Sequence, residues 1–199
     1  MGIINTGVVG VGYLGKFHAE KYAGLSDSRL VAVVDSDPKT ARQVASGLDQ
    51  VVACSDYREI IDQVEAVSIA TTTPAHFEIA QAFLSAGKHV LLEKPITSTT
   101  EQAEKLISLA EQKKCILQVG HIERFNPTIL AMDEFLHGPK FIESHRLSPF
   151  RQRGTDVDVV LDLMIHDIDI ILSIVGSDIK DIQASGMNVL SDAIDTVSY

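Results

Sequence analysis

Six residues near the start of the chain constrain the fold more than any others. Gly10-Val11-Gly12-Tyr13-Leu14-Gly15 follows the apolar run Ile3–Val9 and leads into Tyr13–Leu25, where Leu14, Phe17, Lys21 and Leu25 recur at helical spacing. A short apolar run closed by glycines predicts a buried strand of a parallel sheet. Between a strand and a helix, each glycine has a mechanical use. Gly10 permits a tight turn, Gly12 lets the backbone approach a pyrophosphate, and Gly15 allows close helix–strand packing. The helix N-terminus, with its unpaired N–H groups, then faces the phosphates. A ligand-free turn could use the same glycines, but the strand before and the helix after weigh against that reading.

The residues that follow sustain this expectation. Leu30–Val34, Val51–Cys54, Ala66–Ala70, His89–Leu92 and Ile116–Val119 read as strands. Pro38–Leu48, Tyr57–Ile61, Ala75–Ala86 and Thr99–Lys113 read as helices between them. Strictly alternating strands and helices imply a doubly wound parallel sheet. Asp35 closes the second strand, 20 residues after Gly15. A carboxylate there accepts hydrogen bonds from adenosine ribose hydroxyls and repels a 2′-phosphate, so NAD is expected rather than NADP.

After Gly120 the rhythm changes. Pro127–Leu136 reads as a helix, Lys140–Leu147 as a strand, Gln152–Asp158 as a loop, Val159–Val175 as a long helix and Ile179–Val189 as a strand. The expected organisation is a Rossmann dinucleotide domain over residues 1–120 and an incomplete α+β domain over 121–199. The chain stops at Tyr199 inside what reads as another strand, so truncation at the C-terminus is expected.

Composition narrows the function classes. Among 199 residues, 45% are hydrophobic and 22% charged, enough apolar material for a core. A net charge of −10 argues against nucleic acid as a partner. No apolar run reaches the ~20 residues a membrane span needs. The first residues lack a basic, cleavable leader pattern, and a cytoplasmic location is expected. Cys54 and Cys115 lack metal-ligand spacing, and no metal site is expected.

Two further clusters sit at strand ends, where α/β sheets bind ligands. Thr71-Thr72-Thr73-Pro74-Ala75-His76 follows the fourth strand, and Glu93-Lys94-Pro95 the fifth. Taken alone, Glu93-Lys94-Pro95 could be a solvated turn. Asp162 and His166 lie at i and i+4 of the long helix and share a face, a spacing also common in ordinary helix pairing. Arg146, Arg151 and Arg153 cluster before that helix, with Arg124 nearer the boundary. Guanidinium forks suit phosphate groups, although such a cluster also serves to balance Asp156 and Asp158 on a solvated loop.

Together the glycine loop, Asp35, Thr72-x-Pro74-x-His76, Glu93-Lys94-Pro95, Val119–Pro127 and Asp162-x-x-x-His166 resemble the glucose–fructose oxidoreductase/inositol dehydrogenase/MocA family. The resemblance implies a dehydrogenase that oxidises a sugar hydroxyl to a ketone with NAD, cytoplasmic and homo-oligomeric when full-length. It implies Lys94, His166 and Asp162 as catalytic residues. Gly10, Gly12, Tyr13, Leu14, Gly15, Asp35, Thr71, Thr72, Pro74, His76, Glu93 and Lys94 would hold the cofactor. Lys94, Arg124, Arg151, Arg153 and His166 would hold the substrate. Val119–Pro127, Arg151–Asp158 and Leu161–Ile168 look most like members acting on UDP-N-acetylglucosamine. Dehydrogenation of inositol, a free sugar or a dihydrodiol is the alternative, as is a non-catalytic NAD-binding regulator.

Overall fold

The structure is a computed structural model that describes residues 2–136, 138–147, 158–189 and 194–198. The chain divides into two compact units, residues 1–120 and 121–199.

In the first unit the strands are β1 (Ile4–Val9), β2 (Ser28–Val34), β3 (Val52–Cys54), β4 (Ala66–Ile69), β5 (His89–Leu92) and β6 (Leu117–Val119). Helices α1 (Gly15–Gly24), α2 (Pro38–Ala45), α3 (Thr73–Ser85) and α4 (Thr100–Lys113) alternate with them, and a 3₁₀ segment spans Tyr57–Gln63. The six strands form one sheet in the order β3-β2-β1-β4-β5-β6, every neighbouring pair parallel. This is the Rossmann α/β arrangement. Strand order reverses between β1 and β4, and the crevice beyond the C-terminal ends of those strands is where such sheets take ligands.

Period-two alternation divides the core between the two faces of the sheet. Val9, Ala32, Val34, Val67, Ile69 and Leu92 pack with Ile79, Phe83, Leu84 and Leu106 from α3 and α4. Val8, Leu30 and Val33 pack with Ala19 of α1 and Ala45 of α2 on the other face. Neighbouring valines of one strand thus serve opposite layers, which is why the strands read as continuous apolar runs.

Local chemistry starts the helices where the sequence predicts. Asp37 accepts a hydrogen bond from the Lys39 N–H and precedes Pro38 at the first turn of α2. Thr99 accepts from the Gln102 N–H at the start of α4. Asp56 and Glu59 form a reciprocal capping box on the 3₁₀ segment.

The second unit holds a 3₁₀ turn (Ile122–Phe125), α5 (Pro127–Met132) followed by 3₁₀ residues Asp133–Phe135, a π turn (Val160–Met164) leading into α6 (Ile165–Val175), and antiparallel strands β7 (Ser185–Met187) and β8 (Thr196–Ser198). Three expectations are corrected here. Lys140–Leu147 forms no strand: no described segment pairs with it, and Phe141 and Leu147 are exposed. An extended segment becomes a strand only when its backbone groups find a ladder. The strand expected over Ile179–Val189 is confined to Ser185–Met187, the stretch that has a partner in β8. The helix expected from Val159 opens instead with the π turn. Most of the loop expected over 152–158 lies outside the described residues.

Candidate functional site

Gly10 has φ +82°, and a Cβ there would sit 2.7 Å from the Ala70 carbonyl oxygen. A Cβ on Gly15 would overlap the Gly10 carbonyl. These two glycines are thus required by the protein's own packing. Gly12 differs, because a Cβ there would meet nothing within 4 Å. Its bare backbone faces open space, as the close approach of a pyrophosphate requires.

Asp35 is tied to this loop. Its Oδ2 accepts the Val11 N–H at 3.0 Å and its Oδ1 accepts the Asp37 N–H at 3.0 Å. Each carboxylate oxygen keeps a second lone pair for a ribose hydroxyl. Tyr13 and Leu14 are exposed beside the glycines, and the Tyr13 ring meets Phe17 edge-on at 6.0 Å. Loop and carboxylate therefore fit a dinucleotide.

Thr71, Thr72 and Pro74 lie where β4 passes into α3, with Thr72 and Pro74 exposed and Thr71 half-buried. His76 follows in α3. It is 1% exposed, and both ring nitrogens face carbonyl oxygens: Nδ1 to Pro95 at 2.9 Å and Nε2 to Thr71 at 3.1 Å. Enclosed in this way, it links α3 to the loop after β5.

Glu93 is also buried, and each of its carboxylate oxygens has a partner. Oε2 accepts the Lys94 N–H at 3.2 Å, and Oε1 lies 3.1 Å from Nε2 of His18 on α1. His18 Nδ1 lies 2.6 Å from the Ser68 hydroxyl in β4. Burial pushes the Tyr22 hydroxyl pKa up, and the same serine offsets part of that rise. Gly120 makes room for the group, since a Cβ there would stand 2.8 Å from Glu93 Oε1. His18 and the packing role of Gly120 escaped the sequence reading. The signal was present only as a histidine three residues past Gly15 and a glycine just after β6. Lys94 is half-buried at the end of β5 between Glu93 and Pro95.

In the second unit, Asp162 sits in the π turn, its N–H bonded to the Asp158 carbonyl at 2.9 Å. His166 is the second residue of α6, with a buried Nδ1. π turns inside helices often mark functional positions. Arg124 makes two hydrogen bonds of 2.6 Å to the buried Asp169, and these hold its guanidinium pKa above the ordinary value. His121 Nδ1 lies 3.8 Å from the same carboxylate. Arg146 pairs with Asp167 at 2.7 and 3.0 Å. Burial would push the Asp167 carboxyl pKa up, but hydrogen bonding and charge from Arg146 outweigh it and the net shift is downward. Arg151 and Arg153 lie outside the described residues. Among the described residues, no three His, Cys, Asp or Glu side chains gather as a metal site. Among them too, no helix is long and apolar enough to cross a membrane.

Comparison with known proteins adds to this geometry. A family model described as an oxidoreductase family with an NAD-binding Rossmann fold matches residues 4–121. UDP-N-acetylglucosamine 3-dehydrogenase of Acidithiobacillus ferrooxidans is 41% identical over 193 residues, covering 96% of this chain and 61% of that protein. A solved structure of that dehydrogenase superposes with a TM-score of 0.91 over 99% of this chain and 65% of its own. Inositol 2-dehydrogenase of Rhizobium meliloti is 28% identical over 200 residues, covering 96% of this chain and 61% of that protein. The chain thus spans about three-fifths of the length of these curated relatives. By the matched model and the relative at 41% identity, the chain belongs to the glucose–fructose oxidoreductase/inositol dehydrogenase/MocA family of oxidoreductases.

Proposed function

We propose that the protein oxidises a ring hydroxyl of a nucleotide-linked sugar, UDP-N-acetylglucosamine or a close analogue, to a ketone at the expense of NAD. The observation that carries this reading is the 41% identity to a UDP-N-acetylglucosamine 3-dehydrogenase, which runs through both units. The preference for NAD rests on Asp35. Its anchored carboxylate accepts from ribose hydroxyls and would repel a 2′-phosphate.

The roles follow from chemistry and from the family pattern. Gly10, Gly12 and Gly15 shape the pyrophosphate turn, with Tyr13 and Leu14 beside it. Thr71, Thr72 and Pro74 line the cofactor side of the β4 loop. NAD, when bound, accepts the hydride, that is, the carbon-bound hydrogen with both bonding electrons. The hydroxyl proton goes to His166, whose imidazole suits proton transfer near neutral pH. Asp162 orients that ring and stabilises its charged form. Lys94 donates a hydrogen bond to the reacting oxygen as negative charge develops there. Glu93 and His76 hold the loop that carries Lys94. Arg124, steadied by its two bonds to Asp169, would hold substrate phosphate together with Arg151 and Arg153.

A second reading, oxidation of a polyol such as inositol, is favoured by the inositol dehydrogenase relatives at 28% and 33% identity. Reduction of NAD in a panel of UDP-sugars, free sugars and inositols separates the two. Turnover confined to UDP-sugars supports the first reading, and turnover confined to inositols overturns it. Binding of NAD with no turnover on any substrate would make the protein a cofactor-binding regulator.

A further inference from the structure

Lys94 stands between two residues that are each held by a histidine from a different helix. On one side, Glu93 meets Nε2 of His18 (α1) at 3.1 Å. On the other, the Pro95 carbonyl meets Nδ1 of His76 (α3) at 2.9 Å. The opposite nitrogen of each ring faces β4 or the loop that follows it. His18 Nδ1 meets the Ser68 hydroxyl at 2.6 Å, and His76 Nε2 meets the Thr71 carbonyl at 3.1 Å. The His18 side chain is 17% exposed and His76 is 1% exposed. Neither presents itself to a ligand, and both are tied to the residues that flank Lys94.

We infer that His18 and His76 are paired positioning residues that set the Lys94 ammonium against the reacting oxygen, each through one particular ring nitrogen. Polar groups this enclosed are retained only when hydrogen-bonded, and both rings are. Their bonds run from α1 and α3 to the loop after β5. They therefore fix the one segment whose placement the chemistry requires, whereas the apolar core already holds the strands. A carboxylate accepts only, so the nitrogen facing Glu93 must carry a proton, and Nδ1 of His18 can then accept from Ser68. A neutral His76 ring has a single N–H for two carbonyls. The shorter contact, to Pro95, takes it, and Nε2 then only packs against the Thr71 carbonyl.

This inference rests on the reading of Lys94 as an active-site group, and its test is built to fail separately. The two rings use opposite nitrogens toward the Lys94 segment, so amide replacements should rescue in opposite senses. Glutamine places an N–H near the position of Nε2, and asparagine near that of Nδ1. His18→Gln should keep the bond to Glu93 and His18→Asn should lose it. His76→Asn should keep the bond to Pro95 and His76→Gln should lose it.

The experiment measures kcat and KM for NAD-dependent oxidation of UDP-N-acetylglucosamine in H18A, H18Q, H18N, H76A, H76N and H76Q. It adds the NAD dissociation constant and hydrogen exchange of the peptide containing residues 93–97. In H18A, H18N, H76A and H76Q, kcat should fall about tenfold to a hundredfold, as misplacement of a catalytic group by about 1 Å would cause. NAD affinity should stay within about threefold, a difference below 1 kcal/mol. H18Q and H76N should recover most of the rate and the slow exchange of the 93–97 peptide. Equal behaviour of Gln and Asn at either position, or unchanged kcat in all six variants, overturns the inference. If the unmodified protein reduces no NAD, the dehydrogenase reading falls, and the exchange pattern alone still decides whether the two imidazoles hold the segment. Should the alanine variants fail to fold, the glutamine and asparagine pairs carry the test.

Discussion

Glu93 and Gly120 share one space: a Cβ on residue 120 would lie 2.8 Å from the Glu93 Oε1 that faces His18. The obstructing atom is the end of a flexible side chain, so relief is sterically cheap, but it breaks bonds that matter. Gly120→Ala should destabilise the protein by only about 1 kcal/mol, at the low end of over-packing costs. Turnover should fall much further, because the displaced carboxylate releases both His18 and the Lys94 N–H. Urea unfolding beside kcat measures both effects. Unchanged turnover would mean that Glu93 does not hold Lys94.

Gly12 and Gly15 of the phosphate loop should separate cleanly. Gly12→Ala meets no protein atom within 4 Å. Its stability should stay within about 0.5 kcal/mol of the parent, as for surface changes that disturb nothing. NAD affinity should fall at least about tenfold, the equivalent of ~1.4 kcal/mol. Gly15→Ala drives a methyl group into the Gly10 carbonyl, where backbone must move, and should cost about 3 kcal/mol of stability. Calorimetric NAD titration together with denaturant unfolding distinguishes the two. Loss of stability in Gly12→Ala would assign that glycine to packing.

Asp35→Asn keeps an acceptor for the Val11 N–H and removes the charge. Its affinity for NAD should drop about tenfold, the ~1.4 kcal/mol of a lost charged hydrogen bond. Discrimination against NADP should narrow, because the 2′-phosphate is no longer repelled. Dissociation constants for both cofactors test this. An unchanged NAD/NADP ratio would remove Asp35 from cofactor selection.

The Arg146–Asp167 pair gives the second unit an acid-sensitive element. The carboxyl of Asp167 is held below its ordinary value, so the folded state binds its proton less readily than the unfolded chain does. Its contribution is complete above the unfolded value and is lost as pH falls through the depressed folded one. Arg146→Gln should reduce stability near neutrality and flatten the decline on the acid side. Urea midpoints from neutral to strongly acidic pH measure the effect. Parallel curves for the two proteins would show that the pair does not couple to folding.

The first unit was legible in the sequence because its signals are local. Val8 and Val9, Val33 and Val34 occur as continuous apolar runs, and such runs are what a parallel sheet covered on both faces demands. Gly10, Gly15 and Asp35 were legible because turn geometry and ribose chemistry act at fixed spacings. His18, His76 and Gly120 were not, because their roles depend on partners 75, 19 and 27 positions away in Glu93, Pro95 and Glu93. Sequence periodicity carries no record of such meetings. Lys140–Leu147 misled for a related reason. Its composition suits a strand, but pairing is a property of the partner as well.

Hydride transfer from a nucleotide sugar to NAD is tested most directly with UDP-N-acetylglucosamine deuterated at the ring carbon that is oxidised, the reduced cofactor being analysed by mass spectrometry. One deuterium is expected in the reduced nicotinamide, and none when Lys94 is replaced by Ala. Bound NAD that acquires no deuterium from this sugar, while gaining it from a deuterated inositol or from no substrate at all, would contradict it.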